Sequence, residues 1–202
     1  MTDAVVSELV NQGKITDPHS AKGRLMLEAA HLFKSKGYER TTVRELAKAV
    51  GIQSGSLFHH FKSKEDILLG VMKETIIVNI GRMNQALTQQ PDPKHQLLAL
   101  IRCELDSVHL DTGEAMSVLV SEWRSLSEAH QKYILKLRDD YEALWFSVIR
   151  EGIADGAIKH DAFILRRLIA GAISWSSTWY RPDGDLSLDE LANQTLMLAI
   201  QS

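Results

Sequence analysis

Residues 41–64, TTVRELAKAVGIQSGSLFHHFKSK, constrain the fold of this 202-residue chain more than any other stretch. Thr42 and Glu45 have the spacing of a capping box, and apolar residues follow at helical intervals. Gly51 supplies a tight turn, after which a second short helix is predicted from about residue 53. Two short helices joined in this way have the layout of a helix-turn-helix, a motif that many DNA-binding proteins share.

The flanking segments predict a helix on each side of this motif. Ser20 is placed to cap a first helix that ends at Gly37. Ser63 and Asp66 have capping-box spacing and open a long helix, which stops at the proline pair beginning with Pro91. Because no flexible linker separates the motif from this long helix, the boundary between two domains is expected inside it.

The breaks in the pattern predict three regions. Residues 1–19 are polar and broken by glycine and proline, so a flexible arm is expected, either a disordered tail or an arm that contacts DNA. Residues 20–67 are predicted to form the helix-turn-helix domain, and residues 68–202 a second helical domain. Helical periodicity continues beyond Pro93 without strand-like alternation, so the predicted fold class is all-α with about nine helices.

Charge is distributed unevenly along the chain. The formal net charge is −3, but residues 20–64 contain nine Lys or Arg against three Glu, a net of +6, which leaves −9 on the remainder. A basic patch on an otherwise acidic molecule can bind a polyanion locally. Chance distribution of surface charge is the alternative.

Other functional classes lack their sequence signals. The single cysteine, Cys103, excludes an internal disulfide, and its spacing from histidine does not fit a metal site. His59 and His60 are adjacent and so face different directions on a helix, which makes them a poor metal pair. There is no nucleophile with a base, no phosphate-binding glycine loop and no stretch of about 18 apolar residues. The chain is expected to be cytoplasmic, without cofactor or metal, and not an enzyme.

The sequence also resembles that of a known protein family at a specific set of residues. They are Leu25-Met26, Ala29-Ala30, Leu32-Phe33, Gly37-Tyr38, Thr41-Thr42-Val43, Leu46-Ala47, Ala49-Val50-Gly51-Ile52, Ser54 to Phe61 and Lys64-Glu65. In this register the chain resembles the N-terminal domain of TetR-family transcriptional regulators over roughly residues 20–70. The resemblance implies an all-helical homodimer that represses by binding a palindromic operator, associates with the nucleoid when bound, and releases DNA when a small molecule enters the C-terminal domain.

The resemblance to the TetR family also implies which residues of the motif contact DNA. Phe58 departs from the family, in which tyrosine is common at this position, so a hydroxyl contact to phosphate is lost there. A solvated helix face is the alternative for the whole set. The predicted DNA-binding residues are Thr42, Arg44, Gln53, Ser54, Gly55, Ser56, Phe58, His59, His60 and Lys64.

The C-terminal half resembles a TetR subgroup of fatty-acid and sterol-breakdown regulators, mainly in the segment GAISWSSTWYRPDGDLSLDELA. That resemblance implies an acyl-CoA effector and makes residues 68–202 the ligand-binding and dimerisation domain. The predicted ligand-binding residues are Arg102, Trp123, Arg124, Trp145, Trp175 and Trp179, although core or interface packing is an alternative for the tryptophans. Arg166 and Arg167 are further candidates for neutralising an anionic ligand.

Residues 163–179 are apolar on more than one helix face, so both faces must be covered, by the domain itself and by a ligand or a second subunit. The predicted dimer-interface residues are Leu165, Ile169, Ile173, Leu188, Leu196, Met197 and Ile200. Three alternative functions stay open: a regulator of this fold that responds to another hydrophobic or aromatic molecule, an activator, and a helical small-molecule-binding protein without DNA function.

Overall fold

The computed structural model describes residues 4–110 and 112–200, and within those ranges the chain is all-α, which confirms the predicted fold class. Nine of its ten α helices have seven or more residues. The helices are α1 (Ala4–Asn11), α2 (Ala21–Lys36), α3 (Val43–Ala49), α4 (Ser54–Leu57), α5 (Lys64–Thr88), α6 (Pro93–His109), α7 (Gly113–Ser121), α8 (Glu128–Ala154), α9 (Ala162–Ser176) and α10 (Leu188–Met197), with a 3-10 turn at Trp123–Ser125.

The predicted helix starts of the motif are confirmed by hydrogen bonds. Ser20 Oγ accepts from the Gly23 amide at 3.0 Å at the start of α2. Thr42 and Glu45 form a reciprocal capping box at the start of α3. Gly51 has a φ of 71°, a conformation that favours glycine, and turns the chain between α3 and α4. These local signals set the starts of α2 and α3 and the turn between α3 and α4.

Residues 4–19 differ from the flexible arm that their polarity predicts, and residues 1–3 of that arm lie outside the described residues. Helix α1 buries Val5 and Leu9, and with Ile15 these side chains cluster against Val78 of α5. Thr16 adds two hydrogen bonds to the Glu74 carboxylate, from its amide at 3.0 Å and from its hydroxyl at 2.8 Å. Five of the eight residues of α1 are apolar, and Val5 and Leu9, four apart, give the helix one side to bury.

The chain divides into two compact units. The first contains the chain up to Val78 together with Glu114–Arg138, and the second contains Asn79–Gly113 together with the chain from Asp139 onward. Helices α5 and α8 contribute residues to both units. The compact units therefore separate within α5 after Val78, whereas the predicted DNA-binding domain ends at residue 67. That domain boundary stays a prediction.

The second unit has its own apolar core, in which α6 packs against α9 and α10. Trp145 of α8 is fully buried there, as are residues of all three packed helices. No helix in the described ranges is both long and apolar enough to span a bilayer. The core includes Leu97, Leu100, Ile101, Leu105, Ile149, Leu165, Ile169, Ile173, Ala192 and Leu196.

Candidate nucleic-acid interface and effector-domain residues

The surface of α4 and the turn after it carries most of the predicted DNA contacts, and we call residues 53–61 the recognition segment. Leu57 is fully buried and Phe61 is 7% exposed, so these two side chains anchor the segment to the first unit. Phe58, by contrast, is 53% exposed, and His59 and His60 beside it are also exposed. The segment therefore presents a polar and aromatic face to solvent. Gln53 and Gly55 are exposed on it, and Ser54 and Ser56 are half-buried.

Gly55 has no internal reason to be glycine. Its φ is not in the positive range, and a Cβ built on it would meet no atom within 4 Å. A glycine inside a helix costs about 1 kcal/mol relative to alanine. An outside surface that approaches the backbone closely would account for it, and the exposed position of Gly55 is consistent with such an approach.

Two predicted DNA-binding residues, Arg44 of α3 and its cap Thr42, differ in whether their side chains are already hydrogen-bonded within the protein. Arg44 is exposed. The Thr42 hydroxyl is engaged within the capping box, where it donates to Glu45 Oε2 at 2.9 Å and accepts from the Glu45 amide at 3.2 Å. Hydrogen bonds from Lys36 and then from Thr42 lower the pKa of Glu45 to about 2, so the carboxylate that holds this cap is ionised across the ordinary pH range.

Lys64, predicted to bind DNA, makes its contacts within the first unit. Its ammonium donates to the carbonyl oxygens of Tyr38 at 2.9 Å and Thr41 at 3.1 Å, and it lies 4.1 Å from the centroid of the Tyr38 ring. The ammonium is half-exposed, and its role in DNA binding stays a prediction. The sequence places Lys64 at a helix start but does not show which way its side chain turns.

The predicted ligand-binding residues are distributed over both units. Trp123 and Arg124 lie in the 3-10 turn of the first unit, half-buried and exposed respectively. Within the second unit, Arg102 donates to Asp189 at 2.5 Å and also pairs with Asp106. Its charge is already neutralised, which argues against a role for it in binding an anionic ligand.

The second unit contains a buried ionic cluster around Arg166, which is 2% exposed. The guanidinium makes two hydrogen bonds to Glu142, at 2.8 and 3.2 Å, and Nη1 lies 3.2 Å from Oε2 of the buried Glu104. The Trp145 ring centroid lies 4.1 Å from the guanidinium carbon. Trp145 therefore packs inside a polar cluster of the core, as the packing alternative predicts.

Burial raises the pKa of the Glu104 carboxyl, and Arg166 opposes that rise. Glu104 was not among the predicted site residues. A signal for it exists, since Leu100, Ile101 and Leu105 surround it at helical spacing on the buried side of α6. Three helices, α6, α8 and α9, each contribute a charged residue to this cluster, so it fixes their register in the second unit.

The predicted dimer interface is wrong for most of its residues. Leu165, Ile169 and Ile173 of α9 are between 1% and 3% exposed and belong to the core of the second unit, as do Leu188 and Leu196. Ile200 is half-buried and packs against the same core. Of the predicted set Met197 is exposed, at 54%. The assignment failed because both faces of α9 are apolar, and the sequence does not show which one faces inward.

The opposite face of α9 is the exposed one, and we call it the α9 apolar face. With it we group the exposed apolar residues Trp179, after the helix end, and Met197 and Leu198, at the end of α10. Trp175 and Trp179, predicted to bind ligand, are 68% and 48% exposed on it. Exposed apolar surfaces are typical of sites of protein or ligand contact. The face consists of Phe163, Ile164, Leu168, Trp175, Trp179, Met197 and Leu198.

Within residues 4–110 and 112–200, no group of three or more His, Cys, Asp or Glu side chains is arranged to hold a metal ion. The polar groups identified above make caps, ion pairs and an exposed face. In the first unit, the exposed face of the recognition segment is suited to binding the surface of another molecule.

Two protein-family models match this chain. The model for bacterial regulatory proteins of the tetR family matches residues 25–71, and the model for a tetracyclin repressor-like C-terminal domain matches residues 90–202. The second match alone covers more than half of the chain. Together they include the helix-turn-helix and the whole of α6 to α10.

Individual proteins are similar over nearly the full length. The HTH-type transcriptional repressor KstR2 of Mycolicibacterium smegmatis is 30% identical over 188 residues, covering 92% of this chain and 91% of KstR2. The crystal structure of superantigen pfit is 50% identical with a TM-score of 0.88 and covers 98% of both chains. AibR, solved in complex with isovaleryl coenzyme A and operator DNA, shares the fold at 20% identity and a TM-score of 0.81, covering 90% of this chain and 98% of AibR.

These matches confirm the family resemblance that the motif residues predict. They extend it beyond residues 20–70, because a separate model accounts for the C-terminal helices and a curated repressor aligns with both parts. The chain belongs to the TetR family of bacterial regulatory proteins.

Proposed function

We propose that this protein is a ligand-responsive transcriptional repressor that binds a palindromic DNA operator through its recognition segment. The observation that carries the proposal is the exposed face of residues 53–60, where Phe58, His59 and His60 project from a segment anchored by buried Leu57 and Phe61. The net charge of +6 on residues 20–64 supplies the electrostatic attraction to phosphate. Arg44 and Lys48, the exposed basic residues of α3, are suited to contacting phosphate, whereas Gln53 and the serines are suited to base edges.

Binding to a selected operator tests this function. The protein is used to enrich binding sequences from random duplex DNA, and the enriched sequence is then measured by gel shift against scrambled DNA of equal length. We expect a palindromic site with half-sites about 34–36 Å apart and an affinity that falls as salt rises. Failure to enrich any sequence would favour the alternative of a helical small-molecule-binding protein without DNA function.

The α9 apolar face is proposed as the surface that joins two protomers, because a palindromic operator requires two recognition segments. We expect Leu168→Glu, at a position that is 67% exposed on this face, to convert a dimer to a monomer and to abolish operator binding. Sedimentation velocity and gel shift measure the two effects. Leu135→Glu introduces the same charge at an exposed leucine of the first unit and should change neither. A Leu168→Glu variant that remains dimeric would contradict this placement.

An acyl-CoA thioester is the proposed effector. AibR, which has the same fold, was solved with isovaleryl coenzyme A, and this supports the proposal. The effector acts only if it binds the DNA-free conformation more tightly than the DNA-bound one.

A thermal-shift and gel-shift screen tests the effector class by comparing acyl-CoAs with free fatty acids and aromatic compounds. Release of operator by acyl-CoAs alone is the expected result. Release by the aromatic compounds instead would favour a regulator of the same fold with another hydrophobic effector, and increased transcription from the bound site would favour an activator. We place the protein in the bacterial cytoplasm, associated with the nucleoid while bound to its operator.

A further inference from the structure

Residues 75–81 of α5, with the sequence TIIVNIG, form a stretch of helix with low intrinsic stability. Five of the seven residues are β-branched and lose side-chain freedom in a helix, and the other two are Asn79 and Gly81, which also disfavour helix. The Thr75 hydroxyl donates to the Val71 carbonyl at 2.7 Å, a hydrogen bond of the kind that often bends helices. This stretch therefore depends on tertiary contacts to remain helical.

Helix α1 supplies such contacts to α5. Val5, Leu9 and Ile15 are buried in one apolar cluster with Val78, and Ile77 packs against the same cluster. The eight residues of α1 are too few for a stable isolated helix, since helices shorter than about 12–15 residues are marginal in water. Helix α1 and this part of α5 therefore stabilise each other.

A second attachment lies one turn earlier on α5, at Glu74. The Thr16 hydroxyl donates to Glu74 Oε1 at 2.8 Å and the Thr16 amide donates to Oε2 at 3.0 Å, so both carboxylate oxygens are used. Hydrogen bonds to a carboxylate are stronger than those between neutral groups. Because Glu74 and Val78 are four residues apart, they lie on one face of α5. Residues 4–16, which we call the N-terminal latch, thus hold one turn of α5 at both of its ends.

The N-terminal latch contacts α5 where this helix leaves the first unit. The first unit ends within α5 at Val78, and the helix continues to Thr88. A helix transmits a shift along its length only if it stays rigid between its ends. Residues 75–81 begin before Val78 and extend past it, so their rigidity decides whether α5 can act as a connector.

We propose that the N-terminal latch is a regulatory element, which keeps residues 75–81 helical and so makes operator affinity respond to an effector. The inference rests on the proposed function and adds to it a role for residues 4–16. When the N-terminal latch is detached, residues 75–81 open locally, and effector binding no longer disturbs the recognition segment. The protein then stays on its operator in the presence of effector.

Hydrogen–deuterium exchange of the free protein tests the structural part of the proposal without DNA or effector. Leu9→Asp places a charge in the apolar cluster and should speed exchange of the amides of residues 75–81 about tenfold or more. Ser7→Asp adds the same charge at an exposed position of α1 and should leave that exchange at the wild-type rate. Glu74→Gln weakens the second attachment without adding a charge, should give a smaller increase, and serves if Leu9→Asp does not fold. Slow exchange of residues 97–105, in the core of the second unit, shows that each variant is folded.

Gel shift with effector tests the regulatory part. The probes are isovaleryl coenzyme A and longer saturated acyl-CoAs, and the one that most weakens wild-type operator binding is used for the variants. Allosteric coupling typically changes affinity by about 5–150-fold. Leu9→Asp should bind operator like the wild-type protein without effector, and the effector should lower its affinity by less than about threefold. Ser7→Asp should respond as the wild-type protein does, and a thermal shift verifies that both variants still bind the acyl-CoA.

Unchanged exchange of residues 75–81 in both Leu9→Asp and Glu74→Gln, or an effector response of wild-type strength in Leu9→Asp, would overturn the proposal. An operator affinity that falls equally in Leu9→Asp and Ser7→Asp without effector would also overturn it, because it would indicate an N-terminal arm that contacts DNA. If the wild-type protein binds no operator, or if no acyl-CoA weakens that binding, the proposed function fails instead. The exchange measurement then decides by itself whether the N-terminal latch holds α5.

Discussion

Gly55→Leu is expected to abolish specific operator binding while leaving the protein folded. A side chain at this position meets no protein atom within 4 Å, so leucine can be accommodated in the free protein. If the recognition segment presses against a DNA groove, the added side chain prevents that approach. Affinity should then fall toward the non-specific level, a loss of about 1,000-fold or more. Gel shift on the selected operator and thermal unfolding measure the two effects.

A graded series sharpens this test. Gly55→Ala adds a single methyl group and should reduce operator affinity less than leucine does, with equal or greater thermal stability because alanine favours the helix. Ala154→Leu enlarges an exposed residue at the end of α8 and should leave binding unchanged. Wild-type affinity in Gly55→Leu would show that α4 does not approach DNA closely.

Arg166→Met is expected to cause a large loss of stability in the second unit. Removing one partner of a buried ion pair leaves the other charge without compensation, and such changes cost about 3–5 kcal/mol. The buried Glu104 is that partner, and Glu142 loses both of its hydrogen bonds to the guanidinium. Urea unfolding at neutral pH measures the effect.

The loss should depend on pH in a defined direction. Burial raises the pKa of Glu104, and removing Arg166 removes the charge that opposes this rise. A carboxyl with a raised folded pKa favours the folded state when protonated, and that contribution is lost as pH rises through the folded value. Arg166→Met should therefore be less destabilising at about pH 5 than at about pH 8.

Arg167→Met is the matched control, because Arg167 is the neighbouring residue on α9, is exposed and rests over the Phe163 ring. Its cost should stay within about 0.5 kcal/mol, as for most surface substitutions. Equal losses in the two variants, or a loss in Arg166→Met that grows as pH falls, would show that the pairing of Arg166 with Glu104 does not stabilise the second unit.

Local chemistry explains why the sequence predicts the helix-turn-helix so closely. The Ser20 cap, the Thr42–Glu45 capping box and the Gly51 turn depend on residues within a few positions of one another. Leu57 and Phe61 are likewise buried as their spacing predicts. Hydrogen bonds of this range do not need the rest of the fold, so the sequence contains nearly all of the information that determines them.

Side-chain direction over long range is where prediction from sequence fails. Lys64 meets carbonyls 23 and 26 residues earlier in the chain, and Glu65 meets Ser127 62 residues later. The helix of residues 4–11 gains its order from contact with Val78. None of these partners is specified by local spacing.

By itself the sequence determined the helix boundaries of the motif, the all-α class and the family. Tertiary structure decided which face of α9 is buried, that Lys64 donates to the Tyr38 and Thr41 carbonyls, and that Glu104 and Arg166 meet in the core. The physical reason is that caps and turns are formed by residues close in sequence. When a helix has two equally apolar faces, or a charged side chain is long and flexible, the helices packed around it determine which face is buried and which partner the charge meets.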